Sequence, residues 1–259
     1  MIILNQKLKV ISNMKNILAY VGSRNSTSRI YQLLANLIEE VTKKYGDELK
    51  IDFISPLNKQ LYPSTGCKNC FNKGTCPSEK LDGDEAEEVK SLFEKADLII
   101  IGSPVYSHNV SSDTKVLIDR LSYWAHIFKL AGKPSIVLTT AESNGAQFVT
   151  DYLEKVLSYM GAMVIHKEGF LNSEQELLGE RMDHILKIID TVLSGDLIVK
   201  GTPSQEATFQ TLKLILSQYP EEHFEYKYWK MNNLFDCDTF EEVLKLKESN
   251  NSQFNHLHF

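Results

Sequence analysis

Cysteine is scarce in this chain, four in 259 residues, too few for a disulfide framework at this length. Long apolar runs are missing too: Leu98 to Ile101 and Ile136 to Leu138 fall far short of the roughly 20 residues a membrane helix needs. The opening stretch MIILNQKLKVISN lacks the apolar core and small-residue cleavage site of a secretory signal. Positive charge is thin. Lys and Arg number 28 against 34 Asp and Glu, a formal charge of −6 without a basic cluster, whereas nucleic-acid binding needs clustered cations to displace counterions. These absences predict a cytoplasmic protein with no membrane and no nucleic acid as partner.

What is present is the composition of an ordinary globular protein, 42% hydrophobic and 24% charged. At about 150 residues per domain the length implies one large domain or one and a half, hence an α/β core with an appendage. Lys15 to Val21 is a short apolar run closed by Gly22-Ser23, and Ile30, Leu33, Leu34, Leu37, Ile38 and Val41 follow at helical spacing. Leu49 to Ile54, closed by Pro56, is a second strand. Residues 55–82 hold turn-formers without a period and read as one long loop. Beyond it come a helix over Val89 to Ala96, the strand Leu98 to Ile101, and a helix from Ser112 through Trp124. The strand Ser135 to Thr139, a helix over Phe148 to Met160, the strand Ala162 to Ile165 and a helix over Leu177 to Val192 complete the series. Strands alternating with helices predict a doubly wound parallel sheet of order 2-1-3-4-5 with helices on both faces, over residues 14–195. Met14 precedes the first strand, so residues 1–13 read as a leader or a mis-called start. Residues 196–259 form a C-terminal helical extension, with helices at Thr208 to Leu216 and Phe240 to Lys247, expected to pack on the core, on a partner subunit or over a site.

In such a sheet ligands bind outside the carboxyl ends of the strands, at the switch between the first and third. The first loop, Gly22 to Arg29, opens a helix whose free amides and positive end favour an anion. It matches neither G-x-G-x-x-G nor G-x-x-x-x-G-K-[ST]. Its hydroxyls suit a terminal phosphomonoester, with Arg24 adding charge; the plainer reading is N-capping by Ser26 or Ser28. The third-strand loop, Gly102 to Ser111, offers Pro104 and Tyr106 to a flat heterocycle, or merely finishes a strand. Thr139 to Gly145 makes a third polar loop at the same edge. A phosphate at one end and a planar ring at the other is the shape of FMN.

The stretches GSRNSTS at 22–28, GCKNCFNKGTC at 66–76, ADLIIIGSPVYSHNVSSDTKVLIDR at 96–120 and GKPSIVLTTAESNG at 132–145 resemble the flavodoxin-like NADPH-dependent FMN reductase family, near its iron-sulfur flavoprotein and multimeric flavodoxin branch. The resemblance covers Lys15 to Leu193. It implies that Ser23, Arg24, Ser26, Thr27 and Ser28 hold the FMN phosphate. It also implies that Pro104, Val105, Tyr106 and Ser107 line one side of the ring, and Thr140, Glu142, Asn144 and Gly145 the other. Two departures stand out: the phosphate loop is one residue shorter than the commoner form, and Asn109 stands where Gly is often found. The resemblance further implies NAD(P)H as co-substrate and a homodimer or homotetramer.

Cys67, Cys70 and Cys76 form C-x2-C-x5-C, a spacing able to share a metal but one ligand short. The iron-sulfur flavoproteins place a fourth cysteine where this chain has Asn72 or Lys73, and Cys237 completes a set only if the tail folds back. An iron-sulfur cluster is thus weighed against a loop that shapes the flavin pocket or a dimer contact. His108 is a candidate proton carrier or an ordinary loop residue. His256 and His258 read as solvated. Asp119 and Arg120 read as a structural pair, Tyr123 and Trp124 as core or interface, and the aromatic run ending in Trp229 as core packing before a flavin cover. The function expected is an NAD(P)H-dependent FMN oxidoreductase working by a ping-pong cycle on a quinone, nitro or azo compound, free flavin or a dedicated metabolite. The alternatives are a flavodoxin or iron-sulfur electron carrier and a flavin-free interaction module.

Overall fold

The computed structural model describes residues 14–254. The leader reading of residues 1–13 and the two histidines at 256 and 258 lie outside them. Five parallel strands form one sheet in the order β2-β1-β3-β4-β5. They are β1 (Lys15–Val21), β2 (Leu49–Ile54), β3 (Leu98–Pro104), β4 (Pro134–Ala141) and β5 (Met163–Leu171). This is the doubly wound order expected. Val21 pairs with Gly102 and Pro104 with Thr140, so β1, β3 and β4 deliver their carboxyl ends to one edge.

In chain order the α-helices among the described residues are α1 (Arg29–Tyr45), α2 (Asn69–Lys73), α3 (Ala86–Lys95), α4 (Ser112–Leu121), α5 (Trp124–Ile127), α6 (Ala146–Tyr159), α7 (Leu178–Ser194), α8 (Pro203–Leu216), α9 (Phe224–Met231) and α10 (Phe240–Phe254). Side chains alternate along each strand, so the sheet has two apolar faces. Ile17, Ile100 and Leu138 meet Leu34 and Leu37 of α1 and Ile189 of α7 on one. Leu18, Ile99 and Val137 meet Phe93 of α3, Leu117 of α4 and Leu153 of α6 on the other.

That second face also receives the extension. Phe209 stacks on Trp229 at 5.5 Å and 9°, and both are fully buried beside Phe128 and Phe240. A capping box of Thr202 and Gln205 with Pro203 in the first turn starts α8. Gln205 Nε2 then donates to Ser158 O at 3.1 Å and Ala162 O at 3.0 Å, tying the extension to α6 and the start of β5. Trp229 Nε1 donates to His126 O at 2.8 Å. The aromatic run is therefore core packing, and Trp124, fully buried, is core as well.

Three elements differ from their sequence reading. The long aperiodic loop contains α2 and a 3-10 turn, Pro77–Lys80, each too short to show a period. The helix expected to run from Ser112 through Trp124 breaks after Leu121, and left-handed Phe128 (φ 45°) ends the short α5. Strand β5 continues past Ile165 to Leu171, because an edge strand tolerates His166, Lys167 and Glu168 where an apolar run would be required inside.

Candidate functional site

The first loop leaves its helix uncapped. Ser28 occupies the N-cap of α1, yet its side chain makes no cap bond; its Oγ lies 2.9 Å from Ser23 Oγ instead. The first intrahelical bond runs from Gln32 N to Ser28 O, so the amides of Arg29, Ile30 and Tyr31 precede any intrahelical acceptor. No acidic residue sits in the first turn. The plain capping role for Ser28 is thus unmet. Asn25 Oδ1 receives Thr27 N at 2.9 Å and Thr27 Oγ1 at 2.7 Å, which folds the loop into an Asx turn and leaves Ser26 and Thr27 exposed. The loop's base is fixed from behind: Ser111 Oγ donates to Gly22 O at 2.6 Å and caps Thr114 N of α4 at 3.2 Å. A Cβ on Gly22 would lie 1.8 Å from Thr114 Oγ1, so only glycine fits.

Arg24 is largely committed to the protein. Its Nε and Nη2 make a bidentate contact with Asp113 at 2.9–3.1 Å, and this bond raises the guanidinium pKa further. The side chain stays exposed beside the loop. Sequence reasoning missed one cation and one anion here. Arg29, the first residue of α1, reaches Ala141 O at 3.0 Å and faces Glu142 at 3.8 Å, linking the first loop to the fourth-strand loop. Asp113 carried no sequence signal, since it comes within reach of Arg24 only through the fold. A cleft of about 240 Å³ opens beside Arg29 and Thr140, with Phe170 and Asn172 on its far side.

The second and third loops face each other. Val105 N donates to Thr140 O at 3.1 Å, and Thr139 Oγ1 to Ser103 O at 2.6 Å. Tyr106 and Asn109 exchange both backbone bonds at 2.9 Å around a two-residue turn in which Ser107 (φ 49°) and His108 (φ 60°) are left-handed. That is a hairpin turn usually given to Asn-Gly. Tyr106 is 58% exposed, so its ring is available to a ligand. Across from it, Gly145 (φ 85°) opens α6, and Asn144 meets His108 at 3.0 Å. The sequence-named residues of all three loops therefore meet at one edge of the sheet. Uncapped amides, hydroxyls and no first-turn carboxylate form a donor set that fits a phosphomonoester, and the paired loops fit a flat ring.

The cysteine loop is built otherwise. Cys67 is exposed, Cys70 and Cys76 are half-buried, and all are free thiols. The Asn69 amide and the Thr65 hydroxyl hold Cys67 below the usual thiol range, while burial pushes Cys70 up. Among the described residues no three His, Cys, Asp or Glu side chains gather into a metal-holding group. Cys237 does fold back with the tail, but it is buried there with its Sγ 3.6 Å from Asn233 O. Asn72 accepts from His223 of the extension at 3.2 Å. These side chains do not fit an iron-sulfur cluster. Arg120 pairs not with Asp119 but with Asp84, at 2.5 and 3.2 Å, and also donates to Tyr62 O. Among the described residues no helix is long and apolar enough to cross a membrane.

Known proteins share this arrangement in part. An iron-sulfur flavoprotein of Methanocaldococcus jannaschii is 35% identical over 116 residues, 44% of this chain and 58% of that relative, so the chain spans somewhat less than two thirds of its length. An FMN-dependent NADH:quinone oxidoreductase of Stenotrophomonas maltophilia is 27% identical over 169 residues, 60% of this chain and 80% of the relative. Among solved structures, an apo NADH:FMN oxidoreductase superposes with a TM-score of 0.50 at 22% identity, over 74% of this chain and 93% of that one, a likeness of fold. The model of the NADPH-dependent FMN reductases matches residues 15–177, well over half the chain and the whole of the edge just described, and the protein belongs to that family.

Proposed function

We propose that the protein is an NAD(P)H-dependent FMN oxidoreductase that passes electrons to a small acceptor such as a quinone, a nitro or azo compound or free flavin. The observation that carries this reading is the uncapped, acid-free start of α1 at the sheet's switch point. Ser23, Ser26, Thr27 and Ser28 would hold the phosphate with the amides of the first turn, while Arg24, anchored by Asp113, adds positive charge at the rim. Pro104, Val105, Tyr106 and Ser107 would line one side of the ring, and Thr140, Glu142, Asn144 and Gly145 the other. Bound there, FMN supplies the hydride and electron relay of a ping-pong cycle between a nicotinamide cofactor and the acceptor. The chain's part is to hold the two rings in turn and to keep peptide donors aimed at the flavin. No side-chain nucleophile is needed.

Purified protein should show two flavin absorption bands or acquire them with FMN, bleach with NADH or NADPH, and recover with a quinone. Protein that takes up no FMN overturns the proposal. The iron-sulfur flavoprotein relative favours a second reading, an electron carrier for a protein partner; bound flavin that neither nucleotide bleaches would decide for it. A homodimer or homotetramer belongs to the same proposal, supported by Tyr106 and Phe148, both exposed at the rim of the site, and sedimentation at micromolar concentration tests it.

A further inference from the structure

His108 occupies a conformation that residues other than glycine adopt uncommonly. A left-handed φ of 60° follows Ser107 at 49°, in a turn that Asn-Gly would form without strain. Such outliers persist only where the surroundings over-determine them. Three contacts do so here. His108 Nε2 lies 3.0 Å from Asn144 Oδ1 on the fourth-strand loop. Its ring lies 5.5 Å from that of Phe148 on α6, tilted by 33°. Its Cδ2 closes on Gly145, where a Cβ would approach to 2.8 Å. An amide oxygen only accepts, so Nε2 carries the proton in this contact. A hydrogen bond therefore joins the tip of the third-strand turn to the fourth-strand loop, the two loops proposed to line the ring.

We infer that His108 is a positioning residue: with Asn144 it forms a latch that holds the two ring-binding loops at a fixed separation, and the strained turn exists to aim the imidazole across that gap. This rests on the FMN reading for its consequence, though not for its geometry. The latch predicts which substitutions succeed. Gln carries its amide nitrogen about as far from the backbone as the imidazole Nε2, so His108→Gln keeps a donor within reach of Asn144. His108→Gly relieves the strain but removes the donor, and His108→Ala does neither good.

The test compares wild type, H108A, H108G, H108Q, N144A and the H108A/N144A pair by FMN titration and, without flavin, by hydrogen exchange of residues 105–109 and 143–145. Loss of the latch should weaken FMN binding about tenfold in H108A, H108G and N144A, with the double variant no worse than either single one, as partners in one contact behave. H108Q should stay within about threefold of wild type. In the flavin-free protein the same variants should lose exchange protection in both loops together. Multiplicative losses in the double variant, or H108Q as weak as H108A, overturn the latch while leaving the FMN reading intact. Intact affinity in H108Q with collapsed NADH bleaching would assign His108 to proton transfer and also overturn it. Wild type that fails to bind FMN sinks the functional reading, and the exchange experiment then decides the latch alone: protection lost in both loops supports it, and protection unchanged in N144A refutes it.

Discussion

Two groups of loops leave the same sheet and spend their polar groups differently. The loops after β1, β3 and β4 are tied to the sheet and to each other through backbone and small hydroxyls, as in Ser111 to Gly22 and Thr139 to Ser103. They keep the first amides of α1 unspent. The cysteine loop after β2 is tied down by charge and by the extension. Arg120 and Asp84 pair there with side chains 1% and 0% exposed, Lys90 joins Glu79 at 2.5 Å, and Gly74 lies under Phe224 of α9. One group leaves polar donors open. The other is filled by the chain's own side chains.

The largest effect that would break this contrast lies in the filled loop. Arg120→Ala leaves Asp84 buried without its partner and should cost about 3–5 kcal/mol in urea unfolding. A cost under about 1 kcal/mol would reduce the pair to a surface contact and erase the distinction. The open loop is sharpened by a change with opposite signs on two readouts. Ser28→Asp places a carboxylate at the uncapped start of α1 and should stabilise the flavin-free protein by about 0.5–1 kcal/mol in thermal unfolding. The same carboxylate competes for the amides a phosphate needs, so FMN affinity should fall about tenfold or more. Within the cysteine loop, iodoacetamide at neutral pH should label Cys67 well ahead of Cys70, as peptide mapping would show, because only Cys67 is both exposed and held toward the thiolate.

The smallest effect is a pH dependence at the entry to the cysteine loop. The Gln60 amide, at 2.7 Å, and then Lys59 hold the Glu85 carboxyl below its ordinary value. A depressed carboxyl contributes stability above its unfolded value and loses it as pH falls through the folded one. Glu85→Gln should therefore lower stability at neutral pH by under about 1 kcal/mol and leave it unchanged below the folded carboxyl value, flattening the acid limb of the profile.

Much of the fold was legible because its cause is local. Val21-Gly22-Ser23 and Ile101-Gly102-Ser103 end apolar runs that only a buried parallel sheet accommodates, and the periodic residues of α1 and α7 occur where a crossover helix must cover it. Strand β5 was read short because its polar residues are permitted only by an edge position. The break between α4 and α5 escaped notice because Trp124 keeps helical phase with Leu117 and Leu121 while the backbone does not. At the site, the loops were legible and their partners were not: the pairing of Arg24 with Asp113 spans 89 residues and that of Arg29 with Ala141 spans 112.

By itself the sequence determined a five-stranded parallel sheet, the edge at which its loops converge and the chemical character of the first loop, since these follow from period, punctuation and residue type along short stretches. Only the tertiary structure decided that Ser28 leaves its helix uncapped, that His108 reaches Asn144, that Arg120 belongs to Asp84 and that the extension fills the space beside the cysteine loop. The last three are contacts between side chains far apart in the chain, and a polar side chain bonds whichever partner the packed backbone brings within about 3 Å.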